Sequence, residues 1–222
     1  MTGRPSRGRS GSRPSRHGPY ERKDVHYRRA RAAGYRARSA YKLVELDDRF
    51  RVLRPGDIVA DLGAWPGAWL QVAAERIRSE QAGRTGRVVG LDLVPVAPLA
   101  APHATSIIGD VRDPVAIAEL RRRLGAPADV VLCDLAPKLT GIRDTDEARS
   151  AELLGAALDG LGQLLRPGGH LVLKLFMGSD LPEALTAIRI RFEQVRTTRP
   201  EVTRRGSSEM YVVALGYRGS CG

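Results

Sequence analysis

The chain has 222 residues, 42% of them hydrophobic, and a formal net charge of +11, which suits one domain with a full core and a short extension. The charge is uneven, because residues 1–40 contain 12 Lys and Arg against two acidic residues and the remainder is nearly neutral. No apolar run approaches the ~18 residues of a membrane helix, so no bilayer span is predicted. The only cysteines, Cys133 and Cys221, are too few for a disulfide framework or a zinc site and favour a reducing cytoplasm.

Residues 1–34 form a basic N-terminal segment, which we call the arm. Residues 1–19 consist largely of Arg, Ser, Gly and Pro, so we expect them to be disordered in isolation. A polycationic segment binds nucleic acid by releasing counterions, although a purely solubilising tail remains an alternative. Three tyrosines could stack on bases or, equally, pack against the domain: Tyr20, Tyr27 and Tyr35.

A predicted strand, a glycine turn and a predicted helix follow one another near the start of the domain. Ile58–Leu62 is an apolar run that is long enough for a buried strand and too short for a helix. Gly63 and Gly67 bracket a tight turn, where a ligand can come close to the backbone, and Pro66 is expected to start the helix. This pattern is typical of the ligand-binding corner of a doubly wound sheet. An ordinary strand–turn–helix without a ligand is the alternative.

Residues 35–222 alternate between predicted helices and strands. The helices are expected at about 38–50, 66–78, 113–124, 146–165 and 181–191, with Ser39 as a possible N-cap of the first. The strands are expected at about 58–62, 86–93, 104–109, 128–133, 170–176, 193–198 and 209–216. This order predicts an α/β domain with a mostly parallel seven-stranded sheet, helices on both faces and an antiparallel last strand.

Three acidic residues, Asp92, Asp110 and Asp134, stand at or just after the predicted ends of the second, third and fourth strands. The carboxyl ends of parallel strands line one crevice, beside the glycine turn. A carboxylate after the second strand can accept hydrogen bonds from two ribose hydroxyls, and one after the third can accept from an adenine amino group. Each aspartate alone is at least as often a helix cap or a turn residue. The three together predict a cofactor pocket.

Five short motifs carry a specific resemblance. In chain order they are Arg38-Ser-Ala-Tyr-Lys-Leu43, Asp61-Leu-Gly-Ala-Trp-Pro-Gly67, Asp134-Leu-Ala-Pro137, Leu171-Val-Leu-Lys-Leu-Phe176 and Arg205-Gly-Ser-Ser-Glu-Met-Tyr211. The motif at residues 61–67 is similar to motif I of the S-adenosylmethionine-dependent methyltransferases. Together the five resemble the FtsJ/RrmJ family of RNA ribose 2′-O-methyltransferases, in particular the bacterial branch that acts on a uridine of large-subunit ribosomal RNA. The likeness extends over about residues 35–217.

The resemblance implies a Rossmann-like methyltransferase fold for residues 35–222 and a catalytic tetrad of Lys42, Asp134, Lys174 and Glu209, in which Lys174 is the base. The cofactor would be S-adenosylmethionine, and no metal is implied. The implied cofactor-binding residues are Asp61, Gly63, Trp65, Pro66, Gly67, Trp69, Asp92, Asp110, Val111 and Asp134. The chain departs from the family at Trp65 and Ala68, where small residues and Gly are usual, and at Lys138, where Asn is common.

Lys174 lies inside an otherwise apolar strand, where a cationic side chain is costly to bury unless it is paired. The alternative is a lysine that snorkels from an edge strand. The favoured hypothesis is methylation of a ribose 2′-hydroxyl in ribosomal RNA or the large subunit, by a cytoplasmic monomer without membrane attachment. A non-catalytic RNA-binding assembly factor on the same fold is the second hypothesis. A methyltransferase for proteins or small molecules is disfavoured by the basic arm and the two lysines.

Overall fold

The computed structural model describes residues 28–78, 86–137, 140–178, 181–203 and 206–219. The strands are β1 (Ile58–Leu62), β2 (Arg87–Asp92), β3 (Ala104–Ile108), β4 (Ala128–Cys133), β5 (Leu165–Phe176), β6 (Phe192–Thr198) and β7 (Glu209–Tyr217). The longer helices are α1 (Ala40–Phe50), α2 (Ala68–Ile77), α3 (Pro114–Leu124), α4 (Arg143–Leu164) and α5 (Leu181–Arg191). The predicted disorder of residues 1–19, together with Tyr20 and Tyr27, lies outside the described residues. Within the described ranges, no helix is both long and apolar enough to cross a membrane.

The seven strands form one sheet in the order β3-β2-β1-β4-β5-β7-β6. Strands β1 to β5 are parallel, while β7 runs antiparallel to both β5 and β6. The predicted fold class is therefore confirmed. The order of strands reverses between β1 and β4, and ligands of doubly wound sheets bind outside the carboxyl ends of the strands at such a point.

Successive side chains of a strand point to opposite faces of the sheet, and both faces are covered in this protein. In β1, Ala60 and Leu62 join a core cluster with α3, α4 and α5. Val59 points the other way and joins a cluster with α1 and α2. Because both faces are buried, β1 and β4 read as nearly continuous apolar runs, and this is why the sequence located them correctly.

Helix α2 begins at Ala68, two residues later than expected, so the prediction that Pro66 starts it is wrong. Gly67 precedes the helix with φ at 101°, a left-handed conformation that cannot belong to a right-handed helix. Pro66 instead lies in the turn, after a cis Trp65–Pro66 peptide bond. Ser39 does occupy the N-cap position of α1, but its side chain makes no capping hydrogen bond.

Strand β5 begins at Leu165, five residues before the predicted start, and contains the Pro-Gly-Gly of residues 167–169. The pairing with β4 shifts in register here, from Ala128 opposite Leu165 to Val130 opposite His170. A bulge of this kind accommodates proline and glycine in a strand, so Pro-Gly-Gly, which commonly ends a helix, belongs here to β5.

Helix α4 begins at Arg143, three residues before the predicted start at Asp146. The Asp146 carboxylate accepts hydrogen bonds from the backbone N–H groups of Thr140 and Gly141, at 2.7 and 3.0 Å. It therefore stabilises the preceding loop from inside the first turn of the helix.

The last residues of the arm and the segment after it pack against the domain. Residues 28–32 are helical, and Ala30 is fully buried. The Tyr35 hydroxyl donates to Glu75 Oε2 at 2.8 Å, and its ring meets the Tyr41 ring edge to face at 5.7 Å. Of the two alternatives for Tyr35, packing against the body is therefore the one observed.

Candidate active site

Two ion pairs meet at the carboxyl end of the sheet. Lys42 on α1 places its Nζ 2.6 Å from Glu209 Oε2 at the start of β7. Lys174 on β5 places its Nζ 2.9 Å from Oδ1 of Asp134, the residue that follows β4. The fold thus brings together the four residues of the tetrad, although 167 positions separate Lys42 from Glu209.

Both lysines of the tetrad are largely buried, with 7% of Lys42 and 9% of Lys174 exposed. A buried ammonium without a partner is very costly, so each lysine depends on its carboxylate. Lys174 therefore does not snorkel from an edge, since β5 lies inside the sheet between β4 and β7. Lys42 is buried because α1 presents it on the same side as Leu43 and Leu46, which pack into the core beneath α1.

Tyr211 joins the two ion pairs and was not identified from the sequence. It is fully buried on β7 opposite Lys174, and its hydroxyl accepts a hydrogen bond from Lys42 Nζ at 3.1 Å. Burial raises the pKa of Tyr211, and the charges of Asp134 and Glu209 and a hydrogen bond to the Asp134 side chain raise it further. The hydroxyl therefore stays protonated and acts as a neutral bridge between the pairs. Residues two apart in a strand lie on the same face, so Glu209 and Tyr211 share one face of β7. This alternation was the signal in the sequence that could have placed Tyr211 beside the tetrad.

Oδ1 of Asp134 is paired with Lys174 and retains the capacity to accept a hydrogen bond. Lys174 Nζ donates to the backbone carbonyl of Asp134 at 3.0 Å. The same nitrogen is ion-paired with Oδ1 at 2.9 Å without forming a hydrogen bond to it. Among the described residues Oδ1 is buried and has no hydrogen-bond donor. A buried carboxylate oxygen of this kind is able to accept a hydrogen bond from a bound hydroxyl.

The charges around Glu209 keep it ionised. Its half-buried position works to raise the pKa of the Glu209 carboxyl. The hydrogen bond and charge of Lys42, followed by the charges of Lys174 and Arg38, outweigh this effect, so the pKa is lowered. Lys42 and Glu209 therefore form a stable ion pair beside the second pair of the tetrad.

Gly63 brings the turn after β1 directly against the end of β4. Its φ is 83°, and a Cβ atom at this position would lie 3.0 Å from the Leu135 nitrogen and 3.1 Å from the Asp134 carbonyl carbon. Only glycine fits so close to this backbone and adopts this conformation without strain. The turn and Asp134 are therefore held in one rigid corner.

Gly67 makes room for a side chain of the same protein. A Cβ atom there would lie 2.6 Å from Nη1 of Arg36. The Arg36 guanidinium donates to the carbonyl oxygens of Pro66, Ala97 and Pro98, at 3.2, 2.6 and 2.6 Å. In the structure Gly67 allows Arg36 to fasten the turn to the loop after β2. The approach of a ligand at Gly67 stays a prediction.

Two aspartates close to this corner differ in their hydrogen bonding. Asp61 in β1 is fully buried, and in the described part of the chain neither carboxylate oxygen has a partner. Burial, followed by the charges of Asp134 and Asp92, raises the pKa of Asp61 well above its usual value. Asp92 at the end of β2 accepts from the backbone N–H groups of Trp65 and Val94, both at 2.9 Å. Asp92 therefore ties the turn to the neighbouring strand.

Comparison with known proteins identifies the family. A model described as FtsJ-like methyltransferase matches residues 35–217. The chain belongs to this family. A ribosomal RNA large subunit methyltransferase E from Anaeromyxobacter sp. is 44% identical over 200 residues, which are 90% of this chain and 71% of that protein. A solved structure from Plasmodium falciparum, described as a ribosomal RNA methyltransferase, is 28% identical with a TM-score of 0.72, covering 84% of this chain and 100% of that one.

A more distant solved structure supports only the fold of this FtsJ-like methyltransferase. It is a fibrillarin from Aeropyrum pernix in complex with S-adenosyl-L-methionine. It is 15% identical with a TM-score of 0.51, and the match covers 74% of this chain and 68% of the fibrillarin chain. The agreement therefore concerns the arrangement of sheet and helices.

The remaining predicted cofactor residues of the FtsJ-like chain occupy different environments. The Asp110 carboxylate is held by Arg112, whose Nη2 lies 2.6 Å from Oδ2, and this arginine lowers the pKa of Asp110. Val111 is buried. The Trp65 side chain is 57% exposed, whereas Trp69 is 3% exposed and donates its indole N–H to a backbone carbonyl of α1's N-cap. Direct cofactor contact at these four positions stays a prediction.

Lys138, where the sequence departs from the family, lies outside the described residues. Across the ranges that the structure describes, no group of three or more His, Cys, Asp and Glu side chains is arranged to hold a metal ion.

Proposed function

We propose that this FtsJ-like methyltransferase transfers the methyl group of S-adenosylmethionine to a ribose 2′-hydroxyl in RNA, and that its substrate is a uridine of large-subunit ribosomal RNA. The observation that carries the proposal is the pair of buried lysine–carboxylate contacts, joined by Tyr211, directly beside the glycine turn of a methyltransferase fold. The name of the Anaeromyxobacter relative supports ribosomal RNA as the substrate.

S-adenosylmethionine supplies a methyl group on a positively charged sulfur. The residues that would hold it are those of the glycine turn, with Asp61, Asp92, Asp110 and Asp134 at the strand ends. The two unpartnered oxygens of Asp61 fit a ligand that carries an ammonium group, since a buried polar group without a partner is costly and binding would remove that cost. Asp92 keeps acceptor capacity beyond the two backbone hydrogen bonds that it receives.

Replacing Asp92 with alanine is expected to weaken S-adenosylmethionine binding by about 1–3 kcal/mol, the range for hydrogen bonds to charged groups and for leaving their partners unsatisfied. Titration calorimetry measures the loss directly. The matched control is Asp113→Ala. Asp113 is an aspartate that follows β3 and caps α3 by accepting a hydrogen bond from the Val115 N–H. Equal affinities for the wild-type protein and the Asp92 variant would show that Asp92 does not bind the cofactor.

The tetrad would act on the 2′-hydroxyl by orienting it and removing its proton. A hydroxyl is a poor nucleophile, so the O–H bond must break as the new bond to carbon forms. Lys174 Nζ is the proposed acceptor, which requires Lys174 to be neutral at that moment. The open Oδ1 of Asp134 is positioned to receive a hydrogen bond from the same hydroxyl. Lys42, Glu209 and Tyr211 hold this arrangement from the other side of the site.

The arm is proposed to tether the enzyme to RNA. Residues 1–27 contain seven Lys and Arg and two acidic residues. Deleting these 27 residues, which spares the buried Ala30, should weaken RNA binding and flatten its dependence on salt, because fewer counterions are released. Cofactor affinity should not change. A log–log salt slope that is equal with and without residues 1–27 would mean that this segment only increases solubility.

The experiment that tests the proposed function is mass-spectrometric mapping of ribose methylation in ribosomal RNA from cells with and without this chain. One uridine of the large-subunit RNA should lose its 2′-O-methyl group when the protein is absent and regain it with wild-type protein, but not with Lys174→Ala. A map that does not change would overturn the proposal. If RNA binding and subunit assembly nevertheless depend on the protein, a non-catalytic assembly factor becomes the better description. The proposed substrate also implies a cytoplasmic protein, and we expect a monomer.

A further inference from the structure

A cavity of about 320 Å³ opens beside the tetrad, between α4, the start of α5 and the ends of β4 and β5. Its walls are mainly apolar, formed by residues such as Leu135, Leu154 and Phe176. The polar residues of the lining are Ser150 and Ser208, with the charged residues Asp146, Glu147 and Lys174. The cavity lies at β4 and β5, whereas Asp61, Asp92 and Asp110 stand at β1, β2 and after β3, on the other side of β4 in the sheet. These three aspartates of the proposed cofactor site therefore do not account for it.

The cavity and the tetrad share Lys174. Lys174 belongs to the lining, and Leu135 directly follows Asp134 in the chain. Phe176 is paired with Glu209 across β5 and β7, and its ring centre lies 5.5 Å from Lys174 Nζ. In a nucleotide the base is attached to the ribose carbon next to the one that bears the 2′-hydroxyl. When the 2′-hydroxyl reaches Lys174 and Asp134, the base can therefore reach the mouth of the cavity.

We propose that this cavity receives the base of the nucleotide that is methylated, turned out of its stack in the RNA. The inference rests on the proposed function and adds to it a binding site for the base. Ligand pockets begin at about 300 Å³, so the volume suits one base and not a folded stretch of RNA. Enzymes that act on a flipped nucleotide hold its base between apolar side chains and read its edge with a few polar groups, which is the composition of this lining.

One polar group is already oriented by the protein. The Ser150 hydroxyl donates to the backbone carbonyl of Asp146 at 2.8 Å. The hydroxyl proton is therefore engaged and cannot be donated to a ligand, while the hydroxyl oxygen can still accept a hydrogen bond from an N–H group on the base edge. A uracil carries one such N–H group.

The test fills the cavity from α4. Ala151 lines it, and Ala148, one turn earlier on the same helix, is exposed and does not. Ala151→Leu should lower kcat/KM for a large-subunit RNA transcript at least ~10-fold, the scale expected when a bound group is displaced from an apolar site. S-adenosylmethionine affinity should not change, and Ala148→Leu should behave like the wild type. A wild-type rate for Ala151→Leu would overturn the proposal.

A further measurement needs no variant. A transcript in which the methylated nucleotide keeps its ribose but lacks its base should be methylated at least ~10-fold more slowly by the wild-type enzyme, because the base no longer contributes to binding. On this transcript Ala151→Leu and wild type should be equal. The proposal is wrong if wild-type enzyme methylates the abasic and intact transcripts equally fast, or if Ala151→Leu loses as much on both. Absence of any methylation by wild-type enzyme of both the intact transcript and assembled large subunits would instead contradict the proposed function itself.

Discussion

Lys174→Ala is expected to slow methyl transfer by ~10²–10⁴-fold, the usual range for loss of an acid–base group. The fold and the affinity for S-adenosylmethionine should be kept, because the side chain contacts Asp134 and not the glycine turn. The rate should be measured in a single turnover with saturating cofactor and RNA, so that binding and product release do not contribute. Asp134→Ala should be similarly impaired, since it removes the partner of Lys174 and the open Oδ1.

Lys174→Arg separates two roles for this lysine. A guanidinium stays charged and cannot accept a proton, so the arginine variant should be nearly as slow as the alanine variant if Lys174 is the base. Lys42→Ala and Glu209→Ala should lose less, because their ion pair supports the site from one side. A near wild-type rate for Lys174→Arg would show that Lys174 acts as a fixed positive charge, and Asp134 Oδ1 would then be the better candidate for the proton acceptor.

Asp61→Asn is expected to stabilise the cofactor-free protein at pH 8 relative to the wild type, while weakening S-adenosylmethionine binding. The pKa of Asp61 is raised in the folded protein, so the native state keeps a proton that the unfolded chain releases above about pH 4. The native state then binds more protons, and the free energy of unfolding falls as pH rises. Asparagine has no proton to release and removes this penalty.

Urea unfolding of both proteins at pH 5 and pH 8 measures the effect. The difference between Asp61→Asn and wild type should be small at pH 5 and larger at pH 8. Asp113→Asn is the matched control, because asparagine caps α3 as well as aspartate does and Asp113 is exposed. Parallel pH dependences for Asp61→Asn and wild type would mean that Asp61 is ionised in the native protein.

Much of the site could be predicted because strand ends converge. Asp92, Asp110 and Asp134 were placed by counting apolar runs, and parallel strands bring their carboxyl ends to one edge of the sheet whatever their distance in sequence. Motif resemblance added Lys42 and Glu209. The structure places these two 2.6 Å apart, a contact that no local pattern in α1 or β7 indicates.

The features that were missed depend on contacts between distant segments. Tyr211 bridges the two ion pairs only because β7 is inserted beside β5, with Tyr211 opposite Lys174. Arg36 fills the space left by Gly67, and the sequence offered no reason to expect an internal partner there. The early start of β5 was missed because Pro-Gly-Gly normally ends an element, whereas in this sheet a register shift accommodates it.

The position of β7 has a consequence for synthesis of the protein. This strand lies inside the sheet, between β5 and β6, although it is the last strand in the described chain. Lys42 is made early in translation, but its partners Glu209 and Tyr211 are made near the end. The contacts of Lys42 can therefore form only after β7 has been synthesised. A nascent chain that stops earlier leaves one edge of β5 unpaired, and exposed edges of this kind invite aggregation. Methyl transfer is thus possible only for chains that have been translated past β7.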